Sequence, residues 1–275
     1  MPEVAWTDSV EPKPGATKPD AVVTARGVQR FFGGLRAVDV DHLEIQRNSI
    51  TALIGPNGAG KTTFFNLLTG FDQATAGSWE LNGGSIAGIP AYQVARRGMV
   101  RTFQLTRALP RLTVRDNVML AEPNHPGEAV SRALVGFWKP KETETAERAG
   151  QLLERFGLLH MADEYAGTLS GGQRKLLELA RAMMVNPEVI MLDEPMAGIN
   201  PALTQTLLEH VVRLRDDGKT VVFVEHDMDV VQEISDWVVV LAAGRVIAED
   251  QPEGIAGNSD VIDAYLGTHH GEAAS

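Results

Sequence analysis

The nine residues GPNGAGKTT, at positions 55–63, combine closely spaced glycines with a lysine and two threonines. The apolar run ITALI precedes this segment and FFNLLTG follows it, which predicts a strand before it and a helix after it. Glycines adopt the backbone conformations that direct successive N–H groups at phosphate oxygens. The Lys61 ammonium adds positive charge for the β- and γ-phosphates, and the Thr62 hydroxyl is a suitable Mg²⁺ ligand. The predicted nucleotide-binding residues are Gly55, Pro56, Asn57, Gly58, Ala59, Gly60, Lys61, Thr62 and Thr63.

Acidic side chains and a histidine follow two further apolar runs. The run VIMLDEP contains Asp193 and Glu194 near its end, and the run TVVFVEH ends in His226. Such runs are typical of strands buried in a parallel sheet, and functional side chains collect where these strands end. Asp193 is a candidate Mg²⁺ ligand, and Glu194 is a candidate for orienting or deprotonating an attacking water. We expect His226 to lie beside Asp193 and contact the γ-phosphate if the two strands share a sheet edge.

A second glycine-containing segment, LSGGQRKLLELARAMM, occupies residues 169–184. Its apolar residues recur at helical spacing, which predicts a helix that begins at the glycines. The N-terminus of a helix attracts phosphate groups. The chain therefore has two predicted phosphate-binding segments, and only the first has the lysine of a complete phosphate loop.

The composition predicts a soluble globular protein. The chain has 275 residues, of which 44% are hydrophobic, and its net charge of −11 argues against a general nucleic-acid surface. Its longest apolar runs, such as WVVVLAA, are far shorter than the roughly 20 residues of a membrane helix, and no signal peptide is expected. The absence of cysteine excludes disulfides, thiolate metal sites and cysteine catalysis. We expect any membrane role to come through a partner.

Strand-like and helix-like runs alternate along the chain, which predicts an α/β fold. VVTARGVQRFF and AVDVDHLEIQ are predicted as peripheral antiparallel strands, and WVVVLAAGRVIAED as a hairpin around Gly244. Residues about 105–165 are richer in helix formers, which predicts an inserted helical subdomain. Residues 1–20, with four prolines among polar residues, are predicted to form a disordered tail, and residues 268–275 a flexible one. The domain is expected to span residues 21–267.

The phosphate loop, LSGGQ, IMLDEP and VEHD occur in this order, and over about residues 22–267 the chain resembles the ATP-binding subunits of ABC transporters. The resemblance implies an α/β P-loop NTPase core with a parallel sheet, a peripheral antiparallel β-subdomain and an inserted helical subdomain. It also implies ATP and Mg²⁺ as cofactors, and two subunits that pack head to tail. LSGGQ then caps the nucleotide of the other subunit, whose own phosphate loop supplies the lysine. The capping residues are Ser170, Gly171, Gly172 and Gln173.

The same resemblance implies roles for individual side chains. Glu194 corresponds to the catalytic carboxylate and His226 to the switch histidine. Gln104 in RTFQ corresponds to the glutamine-loop residue that contacts Mg²⁺ or water. Phe32 corresponds to the aromatic residue that stacks on adenine, and the adjacent Phe31 is the alternative.

The finer resemblance is to the ATPases of branched-chain amino acid importers, through FGGLRAVDV, RTFQLTRALPRLTVRDNV, AGINP and the ending VIDAYLG. Urea importer ATPases, a lipopolysaccharide-export ATPase and a soluble ABC ATPase without a permease are the alternatives. The resemblance implies a second ATPase subunit, identical or not, transmembrane permeases and, indirectly, an extracytoplasmic solute-binding protein. It implies a cytoplasmic location on the inner face of the cell membrane. Asn200 stands where many relatives have aspartate, which leaves a charged contact of that loop open.

The segment LTRALPRLTVRDNV contains candidate anchors for a docking permease helix. These are Leu105, Leu109 and Leu112, which fit packing within the helical subdomain equally well. A DNA-maintenance or translation factor on the same ATPase head is a further alternative. The single complete phosphate loop, the lack of a long coiled coil and the acidic charge argue against it.

Overall fold

Ten strands in the described part of the chain divide into two sheets. The structure is a computed structural model and describes residues 5–102, 108–123 and 139–271. In chain order the strands are β1 (Ala21–Phe32), β2 (Leu35–Gln46), β3 (Ile50–Ile54), β4 (Ala76–Leu81), β5 (Gly84–Ser85), β6 (Met99–Arg101), β7 (Val189–Asp193), β8 (Thr220–Val224), β9 (Trp237–Ala242) and β10 (Arg245–Asp250).

The larger sheet has the strand order β10-β9-β3-β8-β7-β6. Neighbouring strands are parallel except β9 and β10, which form an antiparallel hairpin. β3, β7 and β8 are buried over their whole length, as expected for strands covered on both faces. The predicted parallel sheet and the predicted hairpin around Gly244 are confirmed.

The smaller sheet is antiparallel, in the order β2-β1-β4-β5. It confirms the predicted peripheral antiparallel strands. One apolar layer joins side chains of this sheet, of the larger sheet and of the helix after the phosphate loop, among them Phe64, Phe65, Trp79 and Trp237. The phosphate loop is therefore anchored between the two sheets.

Helices cover the larger sheet. They are α1 (Lys61–Leu68), α2 (Ala91–Arg96), α3 (Val114–Met119), α4 (Lys139–Arg155), α5 (Gly171–Met183), α6 (Pro201–Asp216), α7 (Met228–Ile234), α8 (Pro252–Ala256) and α9 (Ser259–Gly271). A second apolar cluster joins α3, α4 and α5 to α6, α7 and the sheet. Within residues about 105–165, the described part consists mainly of α3 and α4. Among the described helices, none combines the length and apolar character needed to cross a membrane.

Residues 5–20 pack against the domain, so the prediction of a disordered tail is wrong for them. Val10 and Ala16 are buried. The Lys18 ammonium lies 2.8 Å from Glu249 Oε2, and these two side chains are 1% and 0% exposed. Proline content and polarity predicted disorder. The prediction failed because the composition of the segment does not reveal its buried ion pair with a residue far along the chain.

The C-terminal boundary also differs from the prediction. The backbone of α9 continues to Gly271, past the expected domain end at residue 267, since each further residue of an established helix adds a hydrogen bond. The flexible tail over residues 268–275 stays a prediction, and residues 272–275 lie outside the described residues.

Glu249 anchors the N-terminal segment through several hydrogen bonds. Besides the Lys18 ammonium, Trp237 Nε1 donates to its Oε2 at 3.1 Å and the Gly15 N–H donates to its Oε1 at 2.9 Å. Burial raises the pKa of Glu249, and the charge of Lys18 opposes that rise. The carboxylate depends on this cation, because a buried charge without a partner is strongly destabilising.

Replacing Lys18 by methionine is expected to lower the free energy of unfolding by about 3–5 kcal/mol, because Glu249 loses its buried partner. The double variant Lys18→Met/Glu249→Gln removes both charges and keeps an acceptor for Trp237, so its loss should be clearly smaller. Urea unfolding followed by tryptophan fluorescence measures both variants. Equal losses would show that the unpaired charge of Glu249 is not the cause of the destabilisation.

Candidate nucleotide site

The loop between β3 and α1 is packed so closely that two of its glycines have no room for a side chain. Gly55 has a φ of 145°, and a Cβ atom there would lie 2.0 Å from the Leu241 carbonyl oxygen of β9. Gly60 has a φ of 97°, and a Cβ atom there would lie 2.3 Å from the Ala37 carbonyl oxygen of β2. Both sheets therefore fix the shape of the loop, and both positions require glycine.

The Lys61 ammonium lies over this loop, where it donates to the carbonyl oxygens of Gly55 at 2.6 Å and Pro56 at 3.0 Å. Burial lowers the pKa of Lys61, and the nearby Glu194 and Asp193 carboxylates oppose that change. The lysine and the acid pair thus share one electrostatic environment.

The remaining loop residues differ in their solvent exposure. Asn57, Gly58 and Thr62 are exposed and Thr63 is half-buried, whereas Ala59 packs into the core. Ala59 can therefore contribute to a phosphate site only through its backbone, while Thr62 at the start of α1 is exposed to solvent.

Parallel pairing of β7 with β8 brings the acid pair and the histidine to one sheet edge. Asp193 lies opposite Val224 in the register, and the Glu194 N–H donates to the Val224 carbonyl at 3.0 Å. Glu194 has a φ of 46°, a left-handed conformation that is uncommon outside glycine and clusters at functional sites. The His226 side chain is 69% exposed at this edge. The strand ends therefore meet, and the catalytic roles of Glu194 and His226 stay predictions.

Glu225 is a site residue that the sequence analysis did not single out. Its buried carboxylate accepts from the Met196 N–H at 3.0 Å and from the His226 N–H at 3.2 Å. Burial raises the pKa of Glu225, which these two donors oppose. Glu225 thus ties the loop after the acid pair to the histidine. A glutamate directly after a buried strand was the available signal.

Arg101, at the end of β6, is a second residue without an assigned role in the sequence analysis. Its Nη2 lies 2.5 Å from Asp193 Oδ2, and its Nη1 donates to Asn66 Oδ1 on α1. The Arg101 and Asp193 side chains are each 4% exposed. The aspartate that is expected to bind a metal is therefore held by a buried guanidinium.

The LSGGQ segment forms a capped helix start. The Ser170 hydroxyl accepts from the Gln173 N–H at 3.3 Å, and Gln173 Oε1 accepts from the Ser170 N–H at 2.9 Å, a capping box. A Cβ atom at Gly172 would lie 2.5 Å from Leu203 Cδ1. Ser170 is exposed at the start of α5 and Gly171 is half-buried, while the Gln173 side chain is already engaged in the cap.

Lys175 connects this helix to the acid pair of the same chain. It is buried, and its ammonium donates to the Glu194 carbonyl oxygen at 3.4 Å. Burial lowers the pKa of Lys175, and the carboxylates of Glu178 and Glu225 are the strongest opposing charges. A lysine on the apolar face of a helix was the signal for this contact.

The β1–β2 hairpin carries the aromatic candidates for adenine stacking. Phe31 and Phe32 are 38% and 48% exposed, and the Arg30 guanidinium carbon lies 4.5 Å from the centre of the Phe32 ring. Ala37 on the same hairpin contacts Gly60, so the hairpin adjoins the phosphate loop. Phe32 stays the predicted stacking residue, with Phe31 as the alternative.

Two predicted positions remain to be placed. Gln104 lies outside the described residues. The Asn200 side chain accepts from the Leu203 N–H at 2.9 Å and caps α6. At this position asparagine therefore serves the start of a helix, a role that asparagine and aspartate fill about equally well.

Tyr265, from the ending VIDAYLG, reaches the phosphate loop from α9. Its hydroxyl is buried. Burial raises the pKa of Tyr265, and the Gly55 backbone amide that interacts with the phenol oxygen opposes this rise. The C-terminal helix therefore supports the first glycine of the loop, a contact that no local pattern predicts.

Three features define the chain as a P-loop nucleoside triphosphatase. They are a glycine loop between a strand and a helix, a lysine over that loop, and an acid pair at the end of a parallel strand of the same sheet. Two family models match it. The ABC transporter model matches residues 38–197, and the model described as branched-chain amino acid ATP-binding cassette transporter matches residues 245–271.

Relatives cover almost the whole chain. The probable branched-chain amino acid transport ATP-binding protein LivG of Archaeoglobus fulgidus is 40% identical over 91% of this chain and 97% of its own length. The high-affinity branched-chain amino acid transport ATP-binding protein BraF of Pseudomonas aeruginosa is 42% identical over 90% and 98%. The solved ADP conformation of an ATP-binding cassette of an ABC transporter has a TM-score of 0.78 and 33% identity, over 90% and 99%. The chain belongs to the ABC transporter ATP-binding family, and it is an ATPase.

The Gly60→Ala substitution is expected to weaken ATP binding by about tenfold or more, because backbone strain of about 1–3 kcal/mol must be relieved by moving the loop. Titration with a fluorescent ATP analogue measures the affinity. Gly83→Ala is the matched control, since Gly83 also has a positive φ of 71° but open space around the added Cβ. If Gly60→Ala binds as tightly as Gly83→Ala, the contact with Ala37 does not shape the loop.

Proposed function

We propose that this ATPase drives the uptake of branched-chain amino acids, or of a related small polar solute, through partner permeases in the cell membrane. The observation that carries the proposal is the match of residues 245–271 to the family model of branched-chain amino acid ATP-binding cassette transporters. The names of the relatives, which cover 90–91% of the chain, support it. The permeases and an extracytoplasmic solute-binding protein select the solute, while this chain supplies the energy from the cytoplasmic side.

The proposal includes a second ATPase subunit, identical or homologous, that closes head to tail on two ATP molecules. The exposed Ser170 at the start of the 13-residue helix α5 supports it. A helix N-terminus attracts negative charge without a cationic side chain. Such a cap suits a γ-phosphate whose opposite side is held by the lysine of another subunit.

The donor set at the sheet edge fits Mg²⁺. Thr62 offers a hydroxyl and Asp193 a carboxylate, and Mg²⁺ is commonly held by one or two protein oxygens together with substrate phosphates and water. Gln104 is the third candidate ligand. When bound, Mg²⁺ neutralises charge on the β- and γ-phosphates.

The chain's own residues perform the remaining work in this proposal. Lys61 moves from its loop carbonyls to the β- and γ-phosphates, and Phe32 stacks on adenine. Glu194 orients or deprotonates the attacking water, and the exposed His226 contacts the γ-phosphate. Closure of two subunits excludes bulk water from this reaction, so an isolated chain is expected to hydrolyse ATP slowly.

A groove of about 560 Å³ beside the site is the proposed docking surface for a permease helix. Its lining is mostly apolar and includes Phe71, Tyr92, Ala95, Met99, Ala121 and Val185. An amphipathic helix binds such a groove through its apolar face. Among the leucines predicted as anchors, Leu109 and Leu112 lie outside this lining, and Leu105 lies outside the described residues.

The Glu194→Gln variant is expected to lose ATP turnover and to form an ATP-dependent dimer, because the amide cannot act as a base while binding of ATP is retained. Size-exclusion chromatography with ATP and a phosphate-release assay measure the two effects. Adding Ser170→Arg to this variant should abolish the dimer and preserve nucleotide binding to the monomer. Adding Ser170→Ala removes the helix cap without the bulk and serves as the control. Wild-type turnover in Glu194→Gln would refute the assignment of the catalytic carboxylate.

Tagged Glu194→Gln protein, trapped with ATP in membranes of its source, is expected to co-purify multi-span permeases and a second ATPase. Adding Tyr92→Glu should remove the permeases, because a charge in the groove opposes an apolar helix face. Tyr165→Glu is the matched control, since both tyrosines are 60% exposed. Retention of permeases by Tyr92→Glu would exclude the groove as the docking site.

The identity of the recovered partners tests the transport proposal itself. A permease complex whose binding protein takes up leucine, isoleucine or valine supports it. Uptake of urea or amides, or a lipopolysaccharide-export complex, would replace the proposed solute. Soluble partners alone would place the ATPase outside transport.

A further inference from the structure

Arg101 joins two elements of the nucleotide site through the two ends of its guanidinium group. One end pairs with Asp193 on β7 at 2.5 Å, and the other donates to Asn66 Oδ1 on α1. The ion pair is almost fully buried. Because a guanidinium is planar and presents its donors in a fixed geometry, the two contacts fix the separation of their partners.

Asp193 and Asn66, the two partners of Arg101, are each connected to a predicted magnesium ligand. Asp193 is one of these ligands. Asn66 follows a second candidate ligand, Thr62, by four positions on α1, and residues four apart lie on the same face of a helix. Arg101 therefore connects the helix that carries the Thr62 hydroxyl to the strand that carries the Asp193 carboxylate.

We propose that Arg101 is a positioning residue that sets the spacing of Thr62 and Asp193 for Mg²⁺. This inference rests on the proposed use of Mg²⁺ with ATP at the site. Mg²⁺ requires near-octahedral geometry with metal–oxygen distances of about 2.0–2.1 Å, and the candidate ligands Thr62 and Asp193 belong to separate elements. The clamp acts through Asp193 and Asn66 and does not itself contact the metal.

Because the Arg101 guanidinium is positively charged, the direction in which its removal changes Mg²⁺ affinity distinguishes two roles. A guanidinium that only repelled the metal would weaken Mg²⁺ binding, so its removal would strengthen binding. A guanidinium that positions the ligands strengthens binding, and its removal weakens it. Loss of a group that holds a metal-binding carboxylate typically costs about 10–100-fold in metal affinity.

The test compares the Kd of a fluorescent ATP analogue in Mg²⁺ and in EDTA, using the full-length free subunit. The ratio is the Kd in EDTA divided by the Kd in Mg²⁺, and it reports how much the metal strengthens binding. Arg101→Met is expected to leave the Kd in EDTA unchanged and to reduce this ratio by about tenfold. Asn66→Ala, which keeps the ion pair and removes one arm of the clamp, should reduce it in the same direction by a smaller factor.

Arg97→Met is the matched control, because Arg97 is an exposed arginine four positions earlier on the same segment, and its ratio should equal that of the wild type. A lower Tm with an unchanged ratio in both Arg101→Met and Asn66→Ala would overturn the inference, since the contacts would then serve stability alone. A higher ratio in Arg101→Met would also overturn it and identify repulsion. A wild-type ratio of one would instead refute the proposed use of Mg²⁺, and this inference with it.

Discussion

The site depends on the parallel pairing of β3 with β8 and of β8 with β7. This pairing forces three strand ends to leave the sheet at the same edge. The phosphate loop follows β3, Asp193 ends β7 with Glu194 directly after it, and Glu225 and His226 follow β8. The strands β3, β7 and β8 are buried over their whole length, so a shift in register would expose apolar side chains. Burial of these strands therefore also fixes the relative positions of the polar groups.

The same convergence creates an electrostatic problem. Three carboxylates, those of Asp193, Glu194 and Glu225, meet at one edge, and each is balanced differently. Arg101 pairs directly with Asp193, backbone N–H groups bind Glu225, and the ammonium groups of Lys61 and Lys175 lie near the acid pair. Lys61 donates to the Gly55 and Pro56 carbonyl oxygens of its own loop. Among these cations it is the one placed over the loop that is proposed to receive the phosphates.

Local patterns in the sequence predicted the parts of the structure that local physics determines. The apolar runs of β3, β7 and β8 and the glycine loop were recognised because burial and backbone freedom dictate residue types over a few positions. The clamp by Arg101 and the support by Tyr265 were not predicted, because both join residues distant in sequence. The N-terminal error has the same cause, since Lys18 and Glu249 are 231 positions apart. Only the folded structure brings such pairs together, and the local sequence around each residue gives no sign of its partner.

Arg101 also belongs to the lining of the groove that is the proposed permease-docking surface. One side chain is thus shared between that groove and the pair with Asp193, so coupling between the two regions needs no extended chain of contacts. Packed interiors transmit displacement because they contain few voids. If a docked helix displaces β6, the guanidinium must move relative to Asp193 or Asn66, and the spacing of the proposed magnesium ligands changes with it. The short strand β6 would therefore connect the proposed docking groove to the proposed magnesium site.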